Sequence, residues 1–394
     1  MGKIKVDAIQ KKEKNIKKDM SGGIVIPTSK LAKILNIAKL GIGGNKLDIK
    51  STILGLHITK GLLKVYSSDG QSTLLVSDSI EGLNESVEQY CTVEIDTFSK
   101  LISKQTCKEL TLNISEKFIE ILGNGKYKIP RVQEEGKDGL VDIVFKLNPT
   151  NKMLPLAQLS LDAMCLLHKS IKPCIPTNGQ SSGVWVTQEG LFLASDGVIG
   201  ASLALDKKYK PVLTRGFSIS TVTMDIFKNS EISIMADGVN YCVLGADKGI
   251  DLEFHTPIPK VLEEDLRKRV APVLEKVITE DKLEGYVALK TSDLIGALDR
   301  LSIFTSAIKG ETVVFEVSEG LEISAEGQVE MLPLLKSKAT KIIPIKAKLS
   351  PALFMTILKS VDSEEIAIQY QNGNVFLRII GDSTKYVLCR QSDI

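Results

Sequence analysis

The sequence predicts an α+β fold assembled from one strand–helix–hairpin unit used six times. Three observations predict it: a three-fold internal repeat, period-two alternation of apolar residues within the recurring segments, and short helix-forming stretches between them.

The repeat sets the frame. GIVIPTSKLAKILNIAKL leads to STILGLHITKGLLKVYSSDG, LSLDAMCLLHKSIKP leads to SGVWVTQEGLFLASDG, and GYVALKTSDLIGALDRLSIF leads to ETVVFEVSEGLEISAEG. Each reads strand, helix, two-strand hairpin. Gly61, Gly190 and Gly320 lie in K-G-L, E-G-L and E-G-L at separations of 129 and 130 residues and fix the register. Ser68-Asp69-Gly70, Ser195-Asp196-Gly197 and Ala325-Glu326-Gly327 follow in the same order. Alone, each is an ordinary tight turn, because small and acidic residues before Gly form turns. Their recurrence in register is what carries information. A second strand, helix and hairpin follows in each repeat, opening at CTVEIDTFSKLISK, FSISTVTMDIFKNS and IPIKAKLSPALFMTILKS.

The strands show in alternation. Leu54, Leu56 and Ile58 alternate with Gly55, His57 and Thr59, and Leu321, Ile323 and Ala325 with Glu322, Ser324 and Glu326. That period places one face of each strand in a core. The helices have start signals: Thr28 or Ser29, Asp96, Ser160, Thr291 or Ser292, and Ser350 before Pro351. In the first, Leu31, Ile34, Leu35 and Ala38 make one apolar stripe, with Lys30, Lys33 and Lys39 off it. The expected division is a basic, disordered tail at 1–22, domains at 23–150, 151–259 and 284–394, and a longer connection at 260–283. Within that connection Leu262, Leu266, Val270, Val273 and Val277 predict an amphipathic helix interrupted at Pro272.

Composition narrows the function classes. Of 394 residues, 43% are hydrophobic and 25% charged, ordinary values for a soluble globular chain. No stretch approaches the roughly 18 apolar residues of a membrane span, and the N-terminus lacks a signal-peptide apolar core. The six cysteines include no C-x-x-C pair, so reduced thiols in a cytoplasmic protein are expected. Residues 1–20 hold seven lysines and three acids, so the rest of a chain of net charge +2 carries −2. A body so near neutrality meets nucleic acid only through a local concentration of basic residues. The helices supply one. Lys30, Lys33, Lys39, Lys104, Lys169, Lys172, Lys228, Lys309 and Lys359 lie in or at the ends of helical segments. Lysines without interleaved aromatics suit phosphates rather than bases. Individually, each is also an ordinary solvated residue.

Catalytic signatures are missing. There is no G-x-S-x-G, no P-loop and no dinucleotide fingerprint, and GIGGNK lacks phosphate-loop spacing. Cys165 and His168 stand three apart on a helix with no further ligands nearby, so no metal or cofactor and no enzyme activity are expected.

The three-fold repeat of a doubled unit, KLGIGGNK before STILGLHI, FLASDGVIGAS and the terminal KYVLCRQSDI together resemble the bacterial DNA polymerase III beta subunit, the DNA sliding clamp, over about residues 23–394. The resemblance implies three tandem clamp domains, with helices lining a ring and antiparallel sheets outside. It also implies a head-to-tail homodimer that encircles double-stranded DNA without sequence specificity and tethers the replicative DNA polymerase. A clamp-loader ATPase would open the ring. Lys46 takes the DNA-touching position after the first glycine loop, and Ile303 and Phe304 match apolar residues of the ring interface. Ser195, Gly197, Ile199, Pro259, Val387, Leu388 and Cys389 match the pocket that receives a short partner peptide. The sequence departs from the family's pattern in that pocket: Ile199 replaces a basic residue, Gly200 a leucine, and Cys389-Arg390-Gln391 a tail with methionine and proline. Such divergence suits a bacteriophage version. The competing reading is a regulatory or decoy module that keeps the fold, binds clamp partners and does not close into a ring.

Overall fold

The computed structural model describes residues 23–42, 48–82, 86–136, 139–148, 150–175, 183–204, 213, 215–279, 283–305, 312–335, 341–361, 363–371 and 376–389. The chain divides into two compact units, Met1–Met153 with Asp237–Pro257, and Leu154–Ala236 with Ile258–Ile394.

Strand, helix and three strands recur along the chain. The series begins with β1 (Ile24–Pro27), α1 (Thr28–Ala38), β2 (Ile53–Thr59), β3 (Leu62–Ser68) and β4 (Thr73–Ser79). It continues with β5 (Glu88–Glu94), α2 (Ile95–Ser103), β6 (Glu109–Ile114), β7 (Phe118–Leu122) and β8 (Lys126–Pro130). A hairpin of β9 (Gln133–Gly136) and β10 (Gly139–Asp142) leads on. Next come β11 (Leu154–Leu159), α3 (Leu161–Leu166), β12 (Gly183–Val186), β13 (Leu191–Ser195) and β14 (Ile199–Ala204). Then follow β15 (Phe217–Ser220), α4 (Thr221–Phe227), β16 (Ile232–Ala236), β17 (Asn240–Asp247) and β18 (Ile250–Pro257). After α5 (Lys260–Asp265) and α6 (Ala271–Thr279) stand β19 (Gly285–Lys290), α7 (Thr291–Ser302), β20 (Val313–Val317), β21 (Leu321–Ala325) and β22 (Gln328–Leu332). The series ends with β23 (Ile345–Leu349), α8 (Pro351–Ser360), β24 (Glu365–Tyr370), β25 (Phe376–Ile380) and β26 (Thr384–Cys389).

Consecutive halves exchange their first strands. β1 pairs with β6 and β5 with β2; β11 pairs with β16 and β15 with β12; β19 pairs with β24 and β23 with β20, all antiparallel. The exchange gives two halves one shared core. In the first unit the sheet order is β1-β6-β7-β8 in one sheet and β17-β18-β4-β3-β2-β5 in the other. In the second unit β14 joins β26, making the run β15-β12-β13-β14-β26-β25-β24-β19, beside β22-β21-β20-β23.

The helices cover one face of these sheets. The expected stripe of α1, Leu31, Ile34, Leu35 and Ala38, is buried, and α1 packs on α2, β3 and β4. α7 packs on α8, and Ser170 Oγ donates to the Ser360 carbonyl at 3.0 Å. Three helix starts differ from expectation. α1 is preceded by Pro27 with no side-chain cap, Glu94 rather than Asp96 accepts the first N–H groups of α2, and Lys290 precedes α7. Ser160 and Ser350 cap as expected. The hairpin turns also divide. Lys60-Gly61 and Glu326-Gly327 have both residues at positive φ, the geometry that matches strand twist. The β20–β21 hairpin closes instead with Ser318 N–H donating to the Gly320 carbonyl at 3.1 Å.

The 260–279 connection corrects the sequence reading. Pro272 does not break the helix: it sits in α6, just after a π turn at Leu266–Val270. A π turn advances the chain by one extra residue before the same face returns. The buried residues are therefore Leu266, Ala271, Leu274 and Ile278, and Val273 of the expected stripe is 61% exposed. Among the described residues, no helix is long and apolar enough to cross a membrane.

Candidate nucleic-acid interface and partner groove

Basic residues gather at the C-terminal ends of the helices. Lys39, Lys104 and Lys228 occupy the C-caps of α1, α2 and α4, and Lys359 lies in the last turn of α8. Lys169 stands in the π turn Leu167–Ile171 after α3. A cation there also offsets the negative end of the helix dipole, so local stability and anion attraction favour the same residues. Lys104, Lys169, Lys228 and Lys359 are exposed, while Lys39 is half-buried.

Three of the expected lysines are turned onto the protein. Lys30 Nζ lies 3.0 Å from Asp78 Oδ1, and Lys33 Nζ lies 3.4 Å from Asp247 Oδ2. Lys172 pairs with Asp225, whose Oδ1 is also 3.1 Å from His168 Nε2. Partial burial raises the Asp225 carboxyl, but hydrogen bonds and charge from Lys172 and His168 outweigh it and hold the group below its ordinary range. His168 is thus held by a carboxylate, and Cys165 Sγ donates to the Lys228 carbonyl at 3.4 Å, so that pair does not converge on a common point. A different set does. On paired strands β17 and β18, Cys242 Sγ is 3.6 Å from His255 Nε2, which is 2.7 Å from Glu253 Oε1. Burial pushes the Cys242 thiol up to about 12, and His255 Nε2 is within reach of both that thiol and the Glu253 carboxylate.

The S-D-G turns share one hydrogen-bond set. Ser195 Oγ donates to the Ile199 carbonyl at 2.7 Å and accepts from Gly197 N–H at 3.0 Å, while Asp196 Oδ1 accepts from Val198 and Ile199 N–H at 2.8 and 2.7 Å. Ser68, Asp69 and Gly70 repeat this set with Ser72 and Gln71. The turn brings β14 alongside β26, where Ile199 faces Leu388, Gly200 faces Val387 and Ala201 faces Tyr386. Alternation then sorts the residues. Tyr386 donates its hydroxyl hydrogen to the Ser360 carbonyl at 3.0 Å, on the helix side, and Leu388 and Ile199 share that side. Val387 and Gly200 point the other way, to the outer face.

That outer face is covered by the 260–279 segment. Trp185, Leu193 and Val387 form one apolar cluster with Leu266, Ala271, Leu274 and Ile278 of the 260–279 segment, flanked by Leu191, Leu262, Val270, Val277 and Phe376. Glu263 accepts from Ser218 N–H at 3.0 Å, and Arg378 donates to the Ile278 carbonyl.

In the second unit, Ile303 and Phe304 follow α7 and are 77% and 48% exposed. Arg300 Nε lies 2.7 Å from Glu330 Oε1, tying this helix end to β22, an edge strand that leaves Val329 and Met331 56% and 65% exposed.

No family model matches this sequence, and neither does any curated protein. Solved structures do match. The beta subunit of DNA polymerase from Streptococcus pyogenes is 13% identical, with a TM-score of 0.75, over 94% of this chain and 100% of that one. The DNA polymerase sliding clamp of Bacillus subtilis is 14% identical, with a TM-score of 0.75, over 94% and 99%. The DNA polymerase III beta subunit of Thermotoga maritima is 14% identical, with a TM-score of 0.72, over 94% and 100%. The chain has the sliding-clamp fold.

Within this clamp fold the residues expected at the partner pocket are only partly brought together. Val387, Leu388, Cys389 and Ile199 meet at the β14–β26 seam, with Ser195 and Gly197 in the adjoining turn and Pro259 at the start of the covering segment. Ile199 and Leu388 lie on the face away from Val387, so they do not line one groove with it. Lys46, Lys309 and residues 390–391 lie outside the described residues. Leu193, Trp185 and Leu274 escaped the sequence reading, and Gly200 entered it only as a departure from the family's pattern. Their signal was the spacing Leu266, Ala271, Leu274, Ile278, which suits a helix only with one extra residue in a turn.

Proposed function

We propose that this chain is a DNA sliding clamp that encircles duplex DNA, without sequence specificity, and tethers a polymerase. Three tandem domains, 23–150, 151–259 and 284–394, would close as a head-to-tail homodimer. The observation that carries the reading is the clamp fold over 94% of the chain, joined to exposed lysines at the ends of α2, α3, α4 and α8. A closed ring holds DNA by topology, so a few weak phosphate contacts suffice and sliding stays fast. A body of near-neutral charge suits that role better than a strongly basic one. The role asks for no catalysis by the chain; opening falls to a clamp-loader ATPase. The exposed Ile303, Phe304, Val329 and Met331 at an edge strand support self-association there, since exposed apolar clusters on strand edges invite pairing.

The test is retention on DNA. After loading, the protein should stay on circular DNA through a salt wash and leave once the circle is cut. Equal, salt-sensitive loss from circular and linear DNA would mean simple electrostatic binding and would sink the clamp reading.

A further inference from the structure

We propose that the outer face of the β14–β26 seam is a binding groove for an amphipathic helix, that residues 260–279 occupy it in cis, and that a partner reaches it only by displacing them. The identification of this groove with the clamp's partner site rests on the function proposed above; the groove and its occupant do not.

The floor is built from alternate residues of four strands: Trp185 on β12, Leu193 on β13, Gly200 on β14 and Val387 on β26. Into it the segment inserts Leu266, Ala271, Leu274 and Ile278. The fit is shaped at one point in particular. Leu274 Cδ2 lies where a Cβ on residue 200 would come within 2.4 Å, so the lack of a side chain at 200 makes the hole that Leu274 fills. The sheet has no side chain at this point, and the leucine that fills it comes from a separate segment.

The occupant is separable from the sheet beneath it. It contributes no strand and belongs to none of the β-α-β-β-β units. Pro257 and Pro259 bound it on one side, and β19 begins at Gly285 on the other. Its helix runs unbroken from Lys260 through the π turn to Thr279. Most of the stability of a helix in a protein comes from packing of its apolar face, so this segment holds its shape against the groove and frays on leaving it. The polar ties described above, Glu263 to Ser218 and Arg378 to the Ile278 carbonyl, sit towards its two ends. These features define the partner in chemical terms: a helix with aliphatic residues along one face, and a carboxylate near its N-terminus to take the place of Glu263 at Ser218.

Two measurements on the full chain test this. By hydrogen–deuterium exchange, amides of 262–279 should exchange at least about tenfold faster than those of β14 and β26, through local opening. Exchange of all three at one rate would mean that the segment is fixed core, and the proposal falls. Next, a labelled peptide with the sequence of 260–279 is titrated onto the wild type and onto the triple variant Leu266→Ala, Leu274→Ala, Ile278→Ala. The cis copy competes at an effective concentration of order millimolar, so the folded variant should bind the peptide at least about tenfold more tightly than wild type. Equal binding, or none by a variant that still melts cooperatively, also overturns the proposal; if the variant does not fold, the exchange measurement decides. Retention on circular DNA separates the two readings. A protein retained on circles with a rigid 260–279 segment remains a clamp without a displaceable helix, and one that opens there but escapes from circles keeps the groove and loses the clamp.

Discussion

Leu274 sits over Gly200 so closely that a Cβ at position 200 would fall 2.4 Å from Leu274 Cδ2. The first unit has a parallel case, where a Cβ on Gly55 would fall 2.9 Å from Phe145 Cδ2. In both, the connection that follows a repeat sends a large apolar side chain onto the outer face of a sheet, above a strand glycine. Filling either hole strains the packing. Gly200→Ala should cost about 1–2 kcal/mol by overpacking, and Gly200→Leu more. Leu274→Ala should cost about 2–4 kcal/mol by the cavity it leaves. Urea unfolding measures all three. If Gly200→Leu were as stable as wild type, the close contact would not exist.

The Asp225 cluster gives a pH dependence of definite sign. Its carboxyl is held below the ordinary range in the folded protein, so it contributes stability above the unfolded carboxyl pKa of about 4, and that contribution is lost as pH falls through the folded value. The side chain is a third exposed, and solvent screening limits the effect to no more than about 1 kcal/mol. Asp225→Asn should therefore be less stable than wild type at pH 7, with the difference shrinking below about pH 4. Denaturant midpoints at the two pH values check this. A difference that grows on acidification would contradict the assignment.

Thiol reactivity should sort by burial. Burial pushes the thiols of Cys91, Cys174 and Cys242 up to about 12, whereas Cys165 is exposed. At pH 8, Cys165 should react first with a thiol reagent, and the three buried thiols only on unfolding, because thiolate and access are both needed. Peptide mapping after partial labelling identifies which cysteine reacted. Early labelling of Cys242 would mean that the β17–β18 cluster opens in the native protein.

The β-α-β-β-β units were legible because their signals are local. Alternation in Leu54, Leu56 and Ile58, and the stripe Leu31, Ile34, Leu35 and Ala38, each depend on residues within one turn or strand of each other. What stayed hidden depends on partners far along the chain. Lys33 looks like a solvated lysine until β17 brings Asp247 to it. Ile199 and Leu388 look like neighbours of Val387 until pairing with β14 assigns them to the helix side. The π turn defeated the expected 270/273/277 stripe, since one extra residue in a turn moves the buried face to 271/274/278.

The lysines should accordingly behave as two groups. Replacing Lys104, Lys228 or Lys359 with alanine should leave folding intact and weaken DNA association in low salt. The salt dependence, as log K against log salt, should flatten by about 0.9 for each phosphate contact removed. Lys30→Ala and Lys33→Ala should instead lower the melting temperature, because Asp78 and Asp247 are mostly buried and would lose their partners. Fluorescence anisotropy at several salt concentrations, with thermal melts alongside, separates the groups. If Lys30 and Lys33 altered only the salt slope, their ion pairs would be incidental.

Self-association should run through the β22 edge. Ile303 and Met331 are exposed in the single chain, so placing a charge at either costs the fold little, but it would bury that charge without a partner in any interface formed there. Ile303→Asp with Met331→Asp should shift the protein from dimer to monomer in sedimentation experiments while its melting behaviour at low concentration stays unchanged. The proposed ring then makes a second demand on the same variant: a protein that cannot close should leave circular and linear DNA at equal rates. A variant that remains dimeric would move the interface elsewhere on the chain. One that becomes monomeric yet is still retained on circles would show that retention does not need this edge, and the head-to-tail arrangement proposed through it would have to be abandoned.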